Sequence, residues 1–495
     1  MATAPGTDYP SLEQDLAVDV AIVGGGIVGL SAALLLIREG LEVAVIEAGR
    51  VGQGVTGRTT AKVTSLHGLI YAQLESSFGQ EGARTYGEAN EAGIRHIAAT
   101  VEELAIDCDF RWRPNYTYAE SPSELGKIEE EVEAAQRAGL PASYVETIPL
   151  PFEVAGAVRF DEQAEFHPLK YVVGLARSLS DQGCRIFERT PAVKVHDGEP
   201  ARVETKGGTV RADHVIVATH FPFPDRGLFF ARLHAERSYV VAGRLPGDAP
   251  VGMFMSAGQP RRSIRFCPID GAEVVLVGGE GHKVGQGGPT GRRYEALEVY
   301  ARERFGVDTV EYRWSTQDNM PLDKVPYVGP LTLRSRRLYT ATGFKKWGMA
   351  HAGAAAMLLR DRIVGRDNGW ESLYDSNRFK PLLPGLKEFT KENLNVGFHF
   401  LADRLTRRSG ASPSDLRPGQ GRVLSQRGRQ IAVSRDEDGA IVAVAARCTH
   451  LGCIVSWNDA ERTWDCPCHG SRFAADGTVL QGPAVQPLES KPPSA

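Results

Sequence analysis

The chain has 495 residues, which is too long for one ordinary core and predicts two or three domains. Hydrophobic residues make up 42% and charged residues 24%, with a formal net charge of −4. Because neither sign dominates, the composition argues against a broad electrostatic attraction to nucleic acid or anionic lipid, although local basic patches stay open. Residues 1–16 show no export pattern, so we expect a cytoplasmic protein.

An almost wholly apolar stretch at residues 18–37 has the length of a membrane-spanning helix. Its glycine cluster indicates instead a buried strand, a tight turn from Gly24, and a helix over residues 27–38 that packs on a sheet. We therefore predict no membrane span.

The turn fits the G-x-G-x-x-G pattern at Gly24, Gly26 and Gly29. Such a turn lets the backbone approach a pyrophosphate at the amino end of the following helix. A second apolar strand leads to Glu47, whose carboxylate is placed to accept both hydroxyls of an adenosine ribose. This context favours a dinucleotide site over a glycine-rich turn without a nucleotide or a Glu47 that is only a surface acid. It does not distinguish FAD from NAD.

Three further segments resemble the D-amino-acid-oxidase-like, or glycine-oxidase-like, FAD oxidoreductases. Residues 54–68, GVTGRTTAKVTSLHG, are similar to the loop whose backbone amides pass close to the flavin ring in that family. Residues 209–220, TVRADHVIVATH, resemble its strand that returns to the nucleotide-binding sheet. The resemblance implies FAD as the cofactor. The residues it places against FAD here are Arg58, Thr59, Thr60 and, through its backbone beside adenine, Val193.

The third segment, residues 337–365, is similar to the family's closing flavin motif, with a strand, a glycine turn and a long helix of small residues. A helix amino terminus there would direct its partial positive charge at the flavin N1/O2 edge, which becomes anionic on reduction. The residues implied to face the ring are Gly343, Lys345, Lys346, Gly348 and Met349. Each lysine could equally be a solvated loop charge. The resemblance covers roughly residues 15–375.

The family's variable substrate domain corresponds to residues 68–191 and 221–330, where apolar runs predict an antiparallel sheet. In the family such a sheet roofs the flavin. The candidate residues for the substrate cavity are Tyr239, Arg265 and His282 on these strands, and Trp347 on the flavin side. Arg265 could hold a substrate carboxylate or pair with an internal acid. A buried polar side chain is more often structural than catalytic.

The chemistry that the resemblance implies is oxidation of an amine or amino acid at its C–N bond, with hydride transfer from carbon to flavin N5. A neutral amine can release hydride once it is oriented and desolvated, so an enzymatic base is not required. His67 and His282 are candidates to deprotonate a substrate ammonium, although a lone histidine is usually structural.

The oxidoreductase body is predicted to span residues 1–405, ending in an amphipathic segment at 386–405. Residues 406–419 form a predicted linker, because they are rich in residues that break regular structure. Short β runs separated by turn pairs then predict a small all-β domain over residues 420–495. Four of the seven cysteines of the chain lie in it.

Two motifs in this domain, CTHLGC and CPCHGS, form the pattern C-x-H, fifteen residues, then C-x-x-H. The spacing resembles that of a cytochrome bc-type Rieske [2Fe–2S] domain. The resemblance implies that Cys448 and Cys466 hold one iron and that His450 and His469 hold the other. Two cysteines and two histidines could instead hold zinc.

The remaining pair, Cys453 and Cys468, stands at matching loop positions, which favours the Rieske domain over a zinc site. In bc-type Rieske proteins this pair forms a disulfide. Ser471 matches a hydroxyl that hydrogen-bonds a bridging sulfide, whereas Phe473 stands where many members have a tyrosine that donates to a cysteine sulfur. The missing donor implies a lower potential within the Rieske range of about −150 to +300 mV.

The predicted fold is an α/β FAD-binding domain, Rossmann-like and of the glutathione-reductase type, with an antiparallel substrate sheet and a small all-β Rieske domain. A two-electron and a one-electron centre in one chain suggest that electrons pass from an amine or amino acid to FAD, to the cluster, and to an external redox partner. Two alternatives stay open: an oxygenase-type flow from cluster to flavin, and a redox-sensing or electron-transfer protein without a metabolite substrate.

Overall fold

The structure is a computed structural model that describes residues 4–224, 227–378, 413–426 and 429–491. The strands of the larger body are β1 (Leu16–Val23), β2 (Val43–Ile46), β3 (Lys62–Val63), β4 (Arg111–Ala119), β5 (Ala142–Val145), β6 (Gly156–Glu165), β7 (Arg185–Phe187), β8 (Ala192–His196), β9 (Ala201–Thr205), β10 (Thr209–Val217), β11 (Leu233–Arg244), β12 (Met253–Ser256), β13 (Arg262–Ile269), β14 (Ala272–Lys283), β15 (Val310–Pro321), β16 (Tyr327–Pro330) and β17 (Leu338–Thr342). Its helices are α1 (Ile27–Arg38), α2 (Tyr71–Glu103), α3 (Leu125–Arg137), α4 (Pro168–Asp181), α5 (Phe229–Arg232), α6 (Gly291–Phe305), α7 (Gly348–Val364) and α8 (Glu371–Tyr374). The C-terminal domain contains β18 (Gly421–Gln426), β19 (Arg429–Arg435), β20 (Ile441–Ala445), β21 (Ser456–Asn458), β22 (Thr463–Asp465), β23 (Arg472–Ala474) and β24 (Val479–Gln481).

The first sheet of the body has a parallel centre with the order β17-β10-β1-β2-β7. Strands β2 and β17 are fully buried, β1 and β10 are buried at their carboxyl ends, and α1 packs against α7 and α4. Strand β16 adds antiparallel to β17, and the β8–β9 hairpin pairs with β10 through β9. Because parallel strands end at the same edge, the loops after β1, β2 and β10 meet there.

The second sheet has the order β15-β11-β14-β13-β12-β4-β6-β3, with β5 paired to β6. Neighbouring strands are antiparallel except for β12 and β4. The strands predicted from the sequence of the substrate region are observed as β11, β13 and β14. One face of this sheet buries an aromatic cluster that includes Tyr239, Phe254 and Phe266.

The C-terminal domain is built from a three-stranded sheet, β18-β19-β20, and a four-stranded sheet, β21-β22-β23-β24. Its core contains the fully buried Trp464 together with four cysteines, so the cysteine loops are part of the packing. The predicted amphipathic segment at 386–405 and the first part of the predicted linker lie outside the described residues.

The apolar stretch at residues 18–37 divides between β1 and α1, and the predicted helix over 27–38 is observed with the same ends. Across the described ranges, the structure contains no helix with both the length and the apolar character needed to span a bilayer.

Candidate functional site

The glycine turn joins β1 to α1 at the carboxyl edge of the parallel sheet. Gly24 has φ 116°, and a Cβ at this position would lie 2.5 Å from the carbonyl oxygen of Ala218. A Cβ on Gly29 would lie 2.0 Å from the carbonyl oxygen of Gly24, so the helix packs on the turn at a distance that only glycine allows. The first turn of α1, after its N-cap Gly26, contains no acidic residue. Its partial positive charge therefore suits an anion such as a pyrophosphate.

A cavity of about 1130 Å³ runs from this turn along both large sheets and reaches the C-terminal domain. Most of the predicted cofactor residues line its wall, namely Gly24, Gly26, Glu47, Arg58, Thr59, Thr60, Val193, Lys345, Gly348 and Met349. Two lie outside the wall. Gly29 packs α1 on the turn, and Gly343, with φ 79°, allows the bend after β17. Backbone-lined glycine turns and a long cavity are what a dinucleotide such as FAD requires.

Glu47 stands directly after β2 on the cavity wall. Its carboxylate accepts hydrogen bonds from the N–H groups of Gly25, at 2.7 Å, and Gly49, at 2.8 Å. Burial raises the pKa of Glu47, and the two amides oppose that shift. The amides hold the carboxylate at the strand end, where the predicted contact with the ribose would be made.

The turn before α7 contains two lysines in left-handed backbone conformation, Lys345 with φ 48° and Lys346 with φ 71°. Lys345 is half-buried, and desolvation lowers its pKa to about 7. Lys346 forms an ion pair with Glu236, with 3.0 Å between Nζ and Oε2. Both lysines line the cavity, but Lys346 is exposed, so the structure disfavours the alternative of a solvated loop charge only for Lys345.

Tyr239 and His282 lie on neighbouring strands β11 and β14, with 2.9 Å between Tyr239 Oη and His282 Nε2. The other ring nitrogen, His282 Nδ1, lies 2.7 Å from the carbonyl oxygen of Gln286 and must donate to it. Nε2 is then the acceptor from the tyrosine hydroxyl. Tyr239 lines the cavity, whereas His282 lies behind it. Burial lowers the pKa of His282 to about 4, so the ring is neutral at pH 7.

Arg265 lies outside the cavity wall and is 4% exposed. Its Nε donates to Glu165 Oε2 at 2.9 Å, and its Nη1 donates to the carbonyl oxygen of Thr60 at 2.5 Å. Of the two roles considered from the sequence, the structure therefore favours the internal ion pair over a contact with a substrate carboxylate. The arginine instead braces the predicted flavin loop.

Trp347 and His67 stack on each other in the cavity wall, with ring centroids 4.8 Å apart. His67 Nε2 lies 2.7 Å from the carbonyl oxygen of Thr64, and Nδ1 lies 2.7 Å from Tyr86 Oη. Burial lowers the pKa of His67 well below its ordinary value. Because both ring nitrogens already have partners, His67 is poorly placed to take a proton from a substrate.

Among the charged residues of the cavity that the sequence analysis did not single out are Lys62, Glu236 and Asp318. Lys62 is 6% exposed, donates to Ser263 Oγ at 2.8 Å, and has its pKa lowered to about 7 by burial. Glu236 and Asp318 face each other on β11 and β15, and burial raises the pKa of Asp318 to about 6. Lys62 could have been noticed in the sequence as a lysine within a run of small residues. The pairing of Glu236 with Asp318 could not have been predicted, because it depends on the register between β11 and β15.

The predicted cluster ligands come together on two loops of the C-terminal domain. Cys448 and Cys466 are both buried, and the rings of His450 and His469 are 5.1 Å apart. His469 is 2% exposed, and within the described part of the chain neither of its ring nitrogens has a hydrogen-bond partner. A buried histidine with no partner is costly unless it binds a metal, so the residues fit an iron–sulfur cluster.

The two ligand loops have matching geometry and are covalently joined. Gly452 and Gly470 take the left-handed conformation at equivalent turns, with φ 78° and 77°. Cys453 and Cys468 form a disulfide with 2.29 Å between the sulfur atoms, as the Rieske resemblance implied. Their sulfur atoms lie within 4.8 Å of that of Cys466, but cysteines in a disulfide are not metal ligands. These three sulfurs therefore do not form a second metal site beside the four predicted ligands.

The two candidate sites meet at Phe221, which follows β10. Its ring lines the large cavity and lies 6.4 Å from the ring of His450 and 6.5 Å from that of His469, measured between centroids. Residues 478–482 and 484–487 of the C-terminal domain also line the cavity. This juxtaposition had no sequence signal, because the two loops are more than 200 positions apart.

Comparison with known proteins assigns a family to each of the two regions. Residues 19–362 match the family described as FAD dependent oxidoreductase, and residues 410–492 match the Rieske [2Fe-2S] domain. The protein YhfW of Bacillus subtilis, whose name describes a Rieske 2Fe-2S iron-sulfur protein, is 39% identical over 97% of this chain and 94% of its own length. The gamma-glutamylputrescine oxidoreductase of Escherichia coli is 31% identical over 42% of this chain and 50% of its own length.

Among solved structures, the glycine oxidase of Geobacillus kaustophilus has a similar fold, with a TM-score of 0.62 and 20% identity. The similarity covers 73% of this chain and 99% of that one. These matches confirm the predicted fold class, the two cofactors and the presence of a Rieske domain.

Proposed function

Because this chain belongs to the FAD dependent oxidoreductase family and ends in a Rieske [2Fe-2S] domain, we propose that it dehydrogenates an amine or amino acid and passes the electrons to an external acceptor through FAD and the cluster. When bound, FAD supplies a two-electron hydride acceptor and the cluster supplies a one-electron carrier. The observation that carries the proposal is Phe221, whose ring touches both the cavity and the two ligand histidines.

The electron balance defines the acceptor. An amine that loses a hydride from carbon and a proton from nitrogen becomes an imine, so two electrons leave the substrate in each turnover. A Rieske centre carries one electron at a time, and two molecules of a one-electron acceptor are then reduced. A redox protein is the class of partner that fits this requirement.

The charges in the cavity support an amine or amino-acid substrate. With Arg265 engaged by Glu165, the cavity wall still offers the cations Lys62 and Arg261 for a carboxylate. The carboxylates Glu236 and Asp318 can attract a substrate ammonium, although Lys346 neutralises part of this charge. The names of glycine oxidase and gamma-glutamylputrescine oxidoreductase describe chemistry of the same class in similar proteins.

The remaining cavity side chains orient the substrate and exclude water, and none of the candidate histidines acts as a base in this proposal. Trp347 is held by its stacking on His67, and Tyr239 is held by its hydrogen bond to His282. A neutral amine fixed between such rigid groups can release hydride without an enzymatic base.

An anaerobic titration tests the proposal. The holoprotein is mixed with a panel of amines and amino acids while flavin bleaching and the EPR signal of the reduced cluster are followed together. We expect at least one substrate to bleach the flavin and then to produce the cluster signal. A Cys448→Ser variant is the matched control, because it should bleach with the same substrate and yield no cluster signal.

Three other outcomes would contradict the proposal. Flavin bleaching without any cluster signal would show that electrons do not pass from the flavin to the cluster. Product oxygenation that depends on an added reductase would indicate flow from the cluster to the flavin. No bleaching across the panel would point to a redox-sensing or electron-transfer role. A cytoplasmic location stays a prediction, to be checked by cell fractionation.

A further inference from the structure

We infer that the Rieske domain is held in one fixed position on the oxidoreductase body, with its ligand loop pressed against the substrate sheet, so that electrons cross at Phe221 without domain movement. The inference rests on the proposed function only for the direction of electron flow. Four separate contacts between the domain and the body support it.

The first contact joins the amino end of α6 to the β21–β22 turn. The N–H of Thr290, the N-cap of α6, donates to Asp459 Oδ1 at 2.7 Å. In return the N–H of Ala460 donates to Thr290 Oγ1 at 3.1 Å, and Tyr294 Oη donates to Glu461 Oε1 at 2.6 Å. A side-chain oxygen of each domain therefore accepts a hydrogen bond from a backbone N–H of the other domain.

The second contact is a buried charge. Arg237 on β11 is 1% exposed, and its Nη1 and Nη2 donate to Ser315 Oγ at 2.7 Å and Gln317 Oε1 at 3.0 Å. Its Nε lies 3.7 Å from Oδ2 of Asp465, the residue immediately before the ligand Cys466. The charges that compensate this buried cation, Asp465 and Glu461, both belong to the Rieske domain, so the guanidinium is placed for the docked arrangement.

The third contact holds the ligand loop itself. Gln317 Nε2 donates to the carbonyl oxygen of Gly470, the residue after the ligand His469, at 2.8 Å. A Cβ on Gly470 would lie 2.5 Å from Ala235 Cβ, and a Cβ on Gly285 would lie 3.0 Å from Pro467. The two backbones therefore approach as closely as two packed elements of one domain core.

The fourth contact covers the histidines. Phe221 is 4% exposed and His469 is 2% exposed. The ring of Phe230 on α5 lies 5.8 Å from the ring of His469. His469 is thus packed against aromatic groups of the body, and the half-buried His450 contacts Phe221 from the other side of the pair.

A matched pair of glycine substitutions tests this docking. Gly285 and Gly271 both flank β14 and both have positive φ, 69° and 76°. A side chain on Gly285 meets Pro467 of the ligand loop, whereas a Cβ on Gly271 meets nothing within 4 Å. Asparagine tolerates this backbone conformation, so Gly285→Asn and Gly271→Asn carry a similar local strain. Only Gly285→Asn is expected to push the Rieske domain away from the body.

Hydrogen exchange gives the first readout, independent of activity. The amides of Thr290 and Ala460 donate across the interface, so their protection reports domain separation. We expect both peptides to be protected in the wild-type holoprotein. Protection should fall roughly tenfold or more in Gly285→Asn, the equivalent of about 1.4 kcal/mol, and stay unchanged in Gly271→Asn. Fast exchange at these amides in the wild type, or equal protection in both variants, would overturn fixed docking.

Flash photoreduction of the flavin gives the second readout and does not need a substrate. We expect the cluster EPR signal to appear more slowly in Gly285→Asn than in the wild type or Gly271→Asn. Equal rates in all three proteins, together with lost protection in Gly285→Asn, would overturn transfer through the docked contact. If photoreduction supports the docking while no substrate bleaches the flavin, the proposed function fails and this inference stands.

Discussion

The FAD cavity and the cluster site are built in opposite ways. Residues of the body from Val23 to Met349 line most of the cavity, and much of its dinucleotide end is backbone held in shape by glycine turns. The candidate cluster site brings four predicted ligand side chains together on two short loops that are joined by a disulfide. A backbone-lined site depends on the absence of side chains at a few positions, whereas a ligand site depends on the identity of each ligand. The two sites should therefore respond differently to substitution.

The largest effect is expected at a cluster ligand. Cys466→Ser should remove iron, acid-labile sulfide and the Rieske EPR signal while FAD stays bound, because each ligand thiolate is required. The metal and sulfide content and the flavin spectrum of the purified protein check this. Cys184→Ser, at a buried free cysteine of the body, should keep the full cluster. A cluster at full occupancy in Cys466→Ser would refute the assignment.

The disulfide is expected to stabilise the Rieske domain. Its two cysteines are 15 positions apart, so replacing both Cys453 and Cys468 by alanine should lower the unfolding free energy of this domain by about 3 kcal/mol. Calorimetry of the whole holoprotein should show an earlier transition that is accompanied by cluster loss. The transition of the body should move less, by no more than the loss of its docking contacts, and a uniform shift of both would contradict a stabilisation that is local to the Rieske domain.

At the dinucleotide turn, Gly24→Ala forces a Cβ against the carbonyl oxygen of Ala218. We expect FAD affinity to fall by about 1–3 kcal/mol, or roughly five- to 150-fold, as for other overpacked sites. Gly40→Ala is the matched control, because Gly40 also has positive φ but open space around it. Similar FAD dissociation constants for the two variants would show that backbone strain, and not the close approach, is responsible.

Within the cluster site, a smaller change tunes the potential. Phe473 is fully buried beside the cysteine loops, and Phe473→Tyr adds the hydroxyl donor that the Rieske resemblance expects. One added hydrogen bond of about 0.5–1.5 kcal/mol should raise the reduction potential by about 20–60 mV. Protein-film voltammetry measures the shift, and Phe473→Leu controls for altered packing. A downward shift in the tyrosine variant would contradict the prediction.

The smallest effect on catalysis is expected at His282. Burial lowers its pKa to about 4, below the ordinary value of 6.5, so the unfolded chain binds the extra proton more readily than the folded one. The neutral ring thus supports stability above pH 6.5, and this contribution is lost as the pH falls toward 4. His282→Gln should leave the pH profile of flavin reduction unchanged and weaken the acid sensitivity of unfolding. If His282→Gln removed one arm of the pH–rate profile of flavin reduction, His282 would be the base after all.

Local patterns allowed much of the molecule to be predicted. The helix Ile27–Arg38 and the strands of the substrate sheet are observed as expected, and the Cys453–Cys468 disulfide is observed as the Rieske resemblance implied. Arg265 shows the limit, because its two possible partners could be separated only by the register that brings Glu165 within 2.9 Å. The cavity charges Lys62 and Asp318 were missed for the same reason. Each lies on a strand whose facing neighbours are distant in the chain.

The amino-acid sequence was sufficient for the cofactor motifs, because glycine spacing and ligand spacing act over a few residues of backbone. The sequence could not reveal that His469 of the Rieske domain packs against Phe221, or that Arg237 lies close to Asp465. Those contacts join strands and loops that are more than 200 positions apart, and they form only after each sheet has set its own register. Packing between finished surfaces, rather than local chain preference, places the two redox sites side by side.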